Sequence, residues 1–133
     1  MFGERGSIDV LAYHVGRGVL LVVEAKSTLP DVGGMLMTLD RKTRLAPAIA
    51  RDRGWAAQTV ARLLVITDSG TARRRIAAHR ATFEAAFPLR GRAMTRWLSE
   101  PQGGASGLWF LPGESQAVTS ARSRVRSRRG PWG

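Results

Sequence analysis

The sequence predicts an α/β protein in which a mixed β-sheet is flanked by helices. Four short apolar segments read as strands, at residues 7–14, 19–26, 61–67 and 107–112. Longer stretches with helical spacing of apolar residues separate the second strand from the third and the third from the fourth. A hairpin that is followed by a helix and a further strand favours a mixed sheet with helices packed on it.

The first two strands are predicted to form a hairpin with Gly16 and Arg17 as a two-residue turn. A glycine in the first turn position is what a type II′ turn prefers. This pairing places Asp9 directly opposite Glu24, and Ser7 opposite Lys26. A one-residue slip would move Asp9 to the other face of the sheet.

After a loop at 29–34, the segment 35–54 has the spacing of an amphipathic helix, through Leu36, Leu39, Leu45 and Ile49. Pro47 is expected to kink or split this helix, because proline removes an intrahelical donor. The apolar run 61–67 is predicted to be a buried strand.

Thr71 is the predicted N-cap of a helix over 71–87, which ends at Pro88. A short helix at 92–100 and a strand at 107–112 complete the predicted α/β domain, residues 1–114. Residues 115–133 are biased towards Ser, Arg and Gly, and we expect a basic disordered tail there.

The chain has a formal net charge of +11, and all of its basic residues except Lys26 and Lys42 are arginines. A cationic surface attracts polyanions, and phosphate contacts dominate affinity for nucleic acids. DNA is therefore the expected partner, although a genome rich in arginine codons is an alternative explanation of the excess. The candidate DNA contacts lie in the two long helical segments: Arg41, Lys42, Arg44, Arg73, Arg74 and Arg75.

Several classes of protein are disfavoured by the composition. There is no cysteine, and thus no disulfide framework or thiolate zinc site. Neither a P-loop nor a dinucleotide-binding fingerprint occurs. No apolar run reaches the length of a membrane span, and the N-terminus lacks the form of a signal peptide. The sequence predicts a cytoplasmic location and no membrane partner.

The predicted hairpin brings three charged residues together. Asp9, Glu24 and Lys26 fall on one face, and directly opposed carboxylates repel each other. A hard divalent cation such as Mg²⁺, which takes one or two carboxylates together with waters and substrate phosphates, would remove this repulsion. A lysine beside it can orient or help to deprotonate a water nucleophile, or neutralise charge on a phosphate. The alternative is that Glu24 and Lys26 are ordinary surface charges where the strand emerges into solvent.

This pattern resembles the PD-(D/E)xK nuclease superfamily, which has the restriction-endonuclease-like fold. The likeness rests on Asp9, on Glu24-Ala25-Lys26 after an apolar strand, on the lead-in GERGSIDVLA, and on the basic helix DRKTRLAPAIARDRGW at 40–55. The likeness covers roughly residues 3–112. This part of the chain is similar to the nuclease-like domain of bacterial helix-turn-helix proteins.

The resemblance implies Mg²⁺- or Mn²⁺-dependent hydrolysis of DNA phosphodiester bonds. Asp9, Glu24 and the main-chain carbonyl of Ala25 would be the metal ligands, and Lys26 the catalytic lysine. Glu4 is an accessory candidate, since many relatives carry an acidic residue before the first of these strands.

The chain also departs from the family's pattern. The helix and strand that usually precede the aspartate-bearing strand are missing, which predicts an N-terminally truncated domain with an exposed edge or apolar face. A homodimer is one way to cover that face. The alternatives to a nuclease are a non-catalytic DNA-binding or transcription-regulatory module, and a fragment too incomplete to fold.

Overall fold

The computed structural model describes residues 7–112, with side chains from Val10 onward. Glu4 and the predicted tail at 115–133 lie outside the described residues. Within the described range the strands are β1 (Ser7–His14), β2 (Val19–Lys26), β3 (Thr59–Thr67) and β4 (Ser106–Leu111). The helices are α1 (Val32–Asp52), α2 (Gly70–Ala78), α3 (Arg80–Ala86) and α4 (Gly91–Ser99).

The described strands form a mixed sheet in the order β1-β2-β3-β4. β1 pairs with β2 antiparallel, whereas β2–β3 and β3–β4 are parallel. Helix α1 connects β2 to its parallel neighbour β3, and the helices α2, α3 and α4 lie between β3 and β4 in the chain. The predicted α/β architecture with a mixed sheet and flanking helices is confirmed at this level.

The β1–β2 connection is longer than predicted, but it leaves the register unchanged. His14 pairs with Val19, so four residues rather than two form the connection. Gly18 has φ of 62°, a left-handed conformation that favours glycine, and its N–H donates to the carbonyl of His14 at 2.9 Å. The longer loop is centred on the same two residues, and therefore each strand keeps its predicted partner.

The main core lies on one face of the sheet. Leu20 and Val22 of β2 and Leu64 and Ile66 of β3 pack there against α1, α2 and α3. On the other face, α4 approaches β4, where Met94 lies close against Gly107. Buried residues on that face are fewer: Val10, Val19, Ala61, Leu63 and Met94.

Helix α1 continues through Pro47, so the expected alternative of a split helix does not occur. Proline removes one backbone donor, but Ala46 and Ala50 on either side are fully buried against the sheet. Packing of this face holds the segment helical, as tertiary contacts supply most helical stability in proteins.

The predicted single helix over 71–87 is two helices that meet at His79. No glycine or proline marks the break. His79 has φ of −117° and ψ of 39°, and its N–H donates to the carbonyls of Arg75 and Ile76. Both Ile76 before the break and Phe83 after it are buried in the same core.

The N-cap of α2 is Ser69 rather than the predicted Thr71, because the Ser69 hydroxyl accepts from the N–H of Ala72 at 3.0 Å. We expect Ser69→Ala to lower the free energy of unfolding by about 1 kcal/mol. Thr71→Ala, at an exposed position in the first turn, is the matched control and is expected to change it by less than about 0.5 kcal/mol. Urea unfolding checks both values, and the reverse order would contradict the assignment of the cap.

The helices within residues 7–112 include none with the length and apolar character needed to cross a membrane.

Candidate functional site

The candidate site is built on paired backbone positions of the hairpin. The β1–β2 register places Asp9 opposite Glu24, and Ser7 opposite Lys26, as the sequence predicts. Opposed positions of an antiparallel pair belong to the same face of the sheet. This face is the one that carries the main core, because Leu20 and Val22, on the same side of β2 as Glu24, belong to it.

Glu24 lies inside the fold. β1 on one side and β3 on the other flank its strand, with Leu64 as its neighbour on β3. The residue is 1% exposed. The alternative that Glu24 is a surface charge at an emerging strand end is therefore wrong. A buried carboxylate needs counter-charges or hydrogen bonds to offset its lost hydration.

Lys42 of helix α1 provides one such counter-charge. Its Nζ donates to Oε1 of Glu24 at 2.9 Å, and the two side chains are 4% and 1% exposed. From the sequence, Lys42 was predicted to contact DNA together with Arg41 and Arg44, whereas in the structure it is buried.

A signal for this burial is present in the sequence. The inward side of α1 carries residues at helical spacing: Val32, Met35, Leu39, Lys42, Ala46 and Ala50. Lys42 is the charged member of this apolar stripe. The predicted stripe used Leu45 instead, which is 50% exposed in the structure. The other three residues of the predicted stripe lie in the core or pack against it: Leu36, Leu39 and Ile49. Lys42 was not recognised as buried because lysine is rarely found in a core unless it is paired.

Lys26 approaches the same carboxylate from its own strand. Its Nζ lies 3.8 Å from Oε2 of Glu24, and its side chain is 13% exposed. Ala25, whose carbonyl is a candidate ligand, is half-buried between the two charged residues in the chain. Two lysines thus contact one buried carboxylate, one from the strand and one from the helix.

The chemistry of the donor set is compatible with a hard divalent cation. Mg²⁺ needs only one or two protein carboxylates, since waters and substrate phosphates complete its coordination. Asp9 and Glu24 occupy adjacent backbone positions and meet that requirement in number. Among the residues with described side chains, no three or more His, Cys, Asp or Glu group together as a metal site. Any cation at Glu24 would have to share the carboxylate with Lys42 or displace the Lys42 ammonium.

The candidate DNA-contacting arginines fall into two groups. Arg41 and Arg44 are exposed on α1. On α2, Arg75 donates to the carbonyls of Leu29 and Pro30 at 2.9 and 2.7 Å, so it anchors the loop between β2 and α1.

Arg73 and Arg74 each contact a residue nearby in the chain, and Arg73 also contacts Phe110 of β4. Arg73 donates to both carboxylate oxygens of Asp68 and lies 4.0 Å from the ring centroid of Phe110. The hydrogen bonds from Arg73 lower the pKa of Asp68 from its ordinary value. Arg74 is exposed and approaches Thr71 Oγ1 at 3.4 Å. Among the three candidate arginines of α2, Arg74 makes the weakest contacts within the described residues.

A cavity of about 340 Å³ lies elsewhere, between α1 and the start of β3 and β4. Its lining residues are Asp40, Thr43, Arg44, Val60, Arg62, Ala105 and Ser106. Arg62 pairs with Asp40 and donates to Ser106 Oγ at 2.8 Å, so its guanidinium already has partners within the fold. The buried charges at Glu24 do not line this cavity, and it adds nothing to the candidate site.

Comparison of the chain with protein-family models, with curated proteins and with solved structures gave no match. The likeness to PD-(D/E)xK nucleases consequently rests on the residues themselves, Asp9 with Glu24-Ala25-Lys26, and the family of the chain stays a hypothesis.

Proposed function

We propose that this chain is a metal-dependent DNA endonuclease that hydrolyses phosphodiester bonds, with its site at Asp9, Glu24 and Lys26. The observation that carries the proposal is the burial of Glu24 opposite Asp9, with Lys26 3.8 Å from its carboxylate. Burial of charge is costly, and groups of charged residues in an unusual environment are found preferentially at functional sites. We propose in addition that the mixed sheet and its helices form a restriction-endonuclease-like fold.

Asp9, Glu24 and the carbonyl of Ala25 would hold Mg²⁺ or Mn²⁺, which supplies an activated water and stabilises charge on a phosphate oxygen. Glu24 provides its carboxylate from a strand that is paired on both sides. Such a strand fixes the position of the backbone, and fixed positions are what a reaction that depends on alignment needs.

Lys26 is the residue that we assign to the nucleophile and the phosphate. It is more exposed than Glu24, at 13% against 1%, so an incoming phosphate would meet the Lys26 ammonium before the buried carboxylate. An ammonium in this position can orient the attacking water or neutralise charge that develops on the phosphate.

The exposed arginines support DNA as the substrate. Arg41 and Arg44 are exposed on α1, the helix that also carries Lys42. Arg74 is exposed on α2. Arginines of this kind contact phosphates without regard to base sequence. We therefore assign them to substrate binding and not to base recognition.

Cleavage of plasmid and branched DNA with Mg²⁺ or Mn²⁺ tests the proposal. We expect metal-dependent nicking by the wild-type chain, and a rate lower by about 10²–10⁴-fold in Lys26→Ala, the range typical of a lost acid–base group. Arg80→Ala removes one basic residue at an exposed i,i+4 pair with Glu84, and serves as the matched control with near-normal cleavage. Folding of each variant is checked by circular dichroism. A folded wild-type chain that binds DNA but cleaves none with either metal would refute the proposal.

One observation favours a second candidate, a non-catalytic DNA-binding or transcription-regulatory module. The ion pair between Lys42 and Glu24 neutralises the buried carboxylate within the fold, so no cation is required for this purpose. In that case the ion pair of Glu24 with Lys42 stabilises the fold, and the exposed arginines bind DNA. DNA binding that is retained in Lys26→Ala, with no cleavage by the wild type, would support this candidate.

A further inference from the structure

We infer that Lys42 is the resident counter-cation of the site, which competes with a divalent cation for Glu24 and so sets the metal affinity of the chain. This inference rests on the proposed function and deepens it. Lys42 is a positioning residue in this scheme, because it acts on the Glu24 carboxylate and not on the substrate.

The contact that carries the inference is short and buried. Lys42 Nζ lies 2.9 Å from Oε1 of Glu24, while Lys26 lies 3.8 Å from Oε2. Each oxygen of the carboxylate therefore has a lysine beside it. A cation that binds Oε1 must displace the Lys42 ammonium or accept it as a close positive neighbour.

The formal charges of the four residues assigned to the site sum to zero. Asp9 and Glu24 carry two formal negative charges at opposed positions, and Lys26 and Lys42 carry two positive ones. A dication added to this group leaves an excess of positive charge where the dielectric constant is low, which is unfavourable. Without the charge of Lys42 the group is net negative, and a dication is attracted.

The fold holds Lys42 in place. It lies on the inward stripe of α1, with Leu39 and Ala46 each 0% exposed on either side along that stripe. The ammonium is thus presented by a packed helix and not by a loop. Its displacement requires the side chain to move within a close-packed environment, and this opposes metal entry further.

Calorimetric titration of the full chain with Mn²⁺ tests the inference. We expect Lys42→Met to bind Mn²⁺ about tenfold or more tightly than the wild type, because a buried positive charge beside the cation is removed. Lys42→Arg retains the charge and is expected to bind with an affinity close to that of the wild type. Arg41→Met removes a neighbouring charge that is exposed and screened, so it should leave the affinity nearly unchanged.

The outcomes separate the inference from the proposed function. Wild-type cleavage with equal Mn²⁺ affinity in the wild type and Lys42→Met would overturn the inference alone. Absence of both Mn²⁺ binding and cleavage in all folded variants would overturn both, and Glu24 with its two lysines would then be a permanent ion-pair group. If Lys42→Met is unfolded without metal, its refolding is titrated with Mn²⁺: recovery at concentrations below those that saturate the wild type supports the inference, and no recovery overturns it.

Discussion

Lys42→Met is expected to lower the free energy of unfolding by about 3–5 kcal/mol in metal-free buffer, the range typical of a broken buried ion pair. The substitution keeps the length and the apolar stem of the side chain but removes the ammonium that contacts Glu24 at 2.9 Å. Glu24 then stays buried with one counter-charge fewer, and its lost hydration is offset less completely. Urea unfolding followed by tryptophan fluorescence measures the change.

A second substitution distinguishes a lost ion pair from a general packing defect. Glu24→Leu combined with Lys42→Met removes both charges, and we expect the double variant to be more stable than either single variant, because buried ion pairs can be replaced by apolar groups at little cost. Arg41→Met, on the exposed side of the same helix, is the matched control with an expected change within about 0.5 kcal/mol. Strictly additive losses in the double variant would contradict coupling between the two residues.

Phe87→Ala is expected to destabilise the chain by about 3–5 kcal/mol, as truncation of a fully buried aromatic residue leaves a cavity. Phe87 is 0% exposed, and its ring centroid lies 6.1 Å from that of Phe83. The guanidinium of Arg62 lies 5.3 Å from the ring centroid of Phe87. Because Arg62 also pairs with Asp40 of α1 and donates to Ser106 of β4, loss of the ring also removes a support for that link.

Phe87→Leu is the matched control, since it keeps most of the apolar volume and is expected to cost less than about 1.5 kcal/mol. Urea unfolding of both variants gives the comparison. Equal losses for the two substitutions would show that the cavity is not the cause.

The structure shows which parts of the site could be predicted from local sequence. The pairing of Asp9 with Glu24 follows from the alternation of the two strands and the centre of the turn, and it holds although the connection has four residues and not two. The cap of α2 was predicted two residues too late, because Ser69 and Thr71 are both acceptable caps by residue type. Their different roles follow from the path of the chain as it leaves β3.

The sequence alone did not show which residues at the border of the inward side of α1 are buried. Leu45 looks like a core residue by its type, yet it is 50% exposed, whereas Lys42 looks like a surface residue and is 3% exposed. Helical spacing points to the side that contains Leu39, with Leu36 and Ile49 packed against the core, but it does not decide between Leu45 and Lys42 at its border. The choice depends on the volume available beneath the helix, where Ala46 and Ala50 lie against the sheet, and on the counter-charge offered by Glu24.

The sequence by itself determined the order of the strands, the mixed α/β architecture and the hairpin register, but not the division of the predicted helix 71–87 into α2 and α3. The determined features follow from hydrophobic periodicity and turn residues over short distances. Only the tertiary structure decided that Glu24 is buried and that Lys42 is its partner. These two residues are 18 positions apart in the chain, and they meet because α1 packs across β2. Burial depends on such packing between distant segments, and once Glu24 lies in a low dielectric, a nearby opposite charge lowers its free energy by far more than it would in water.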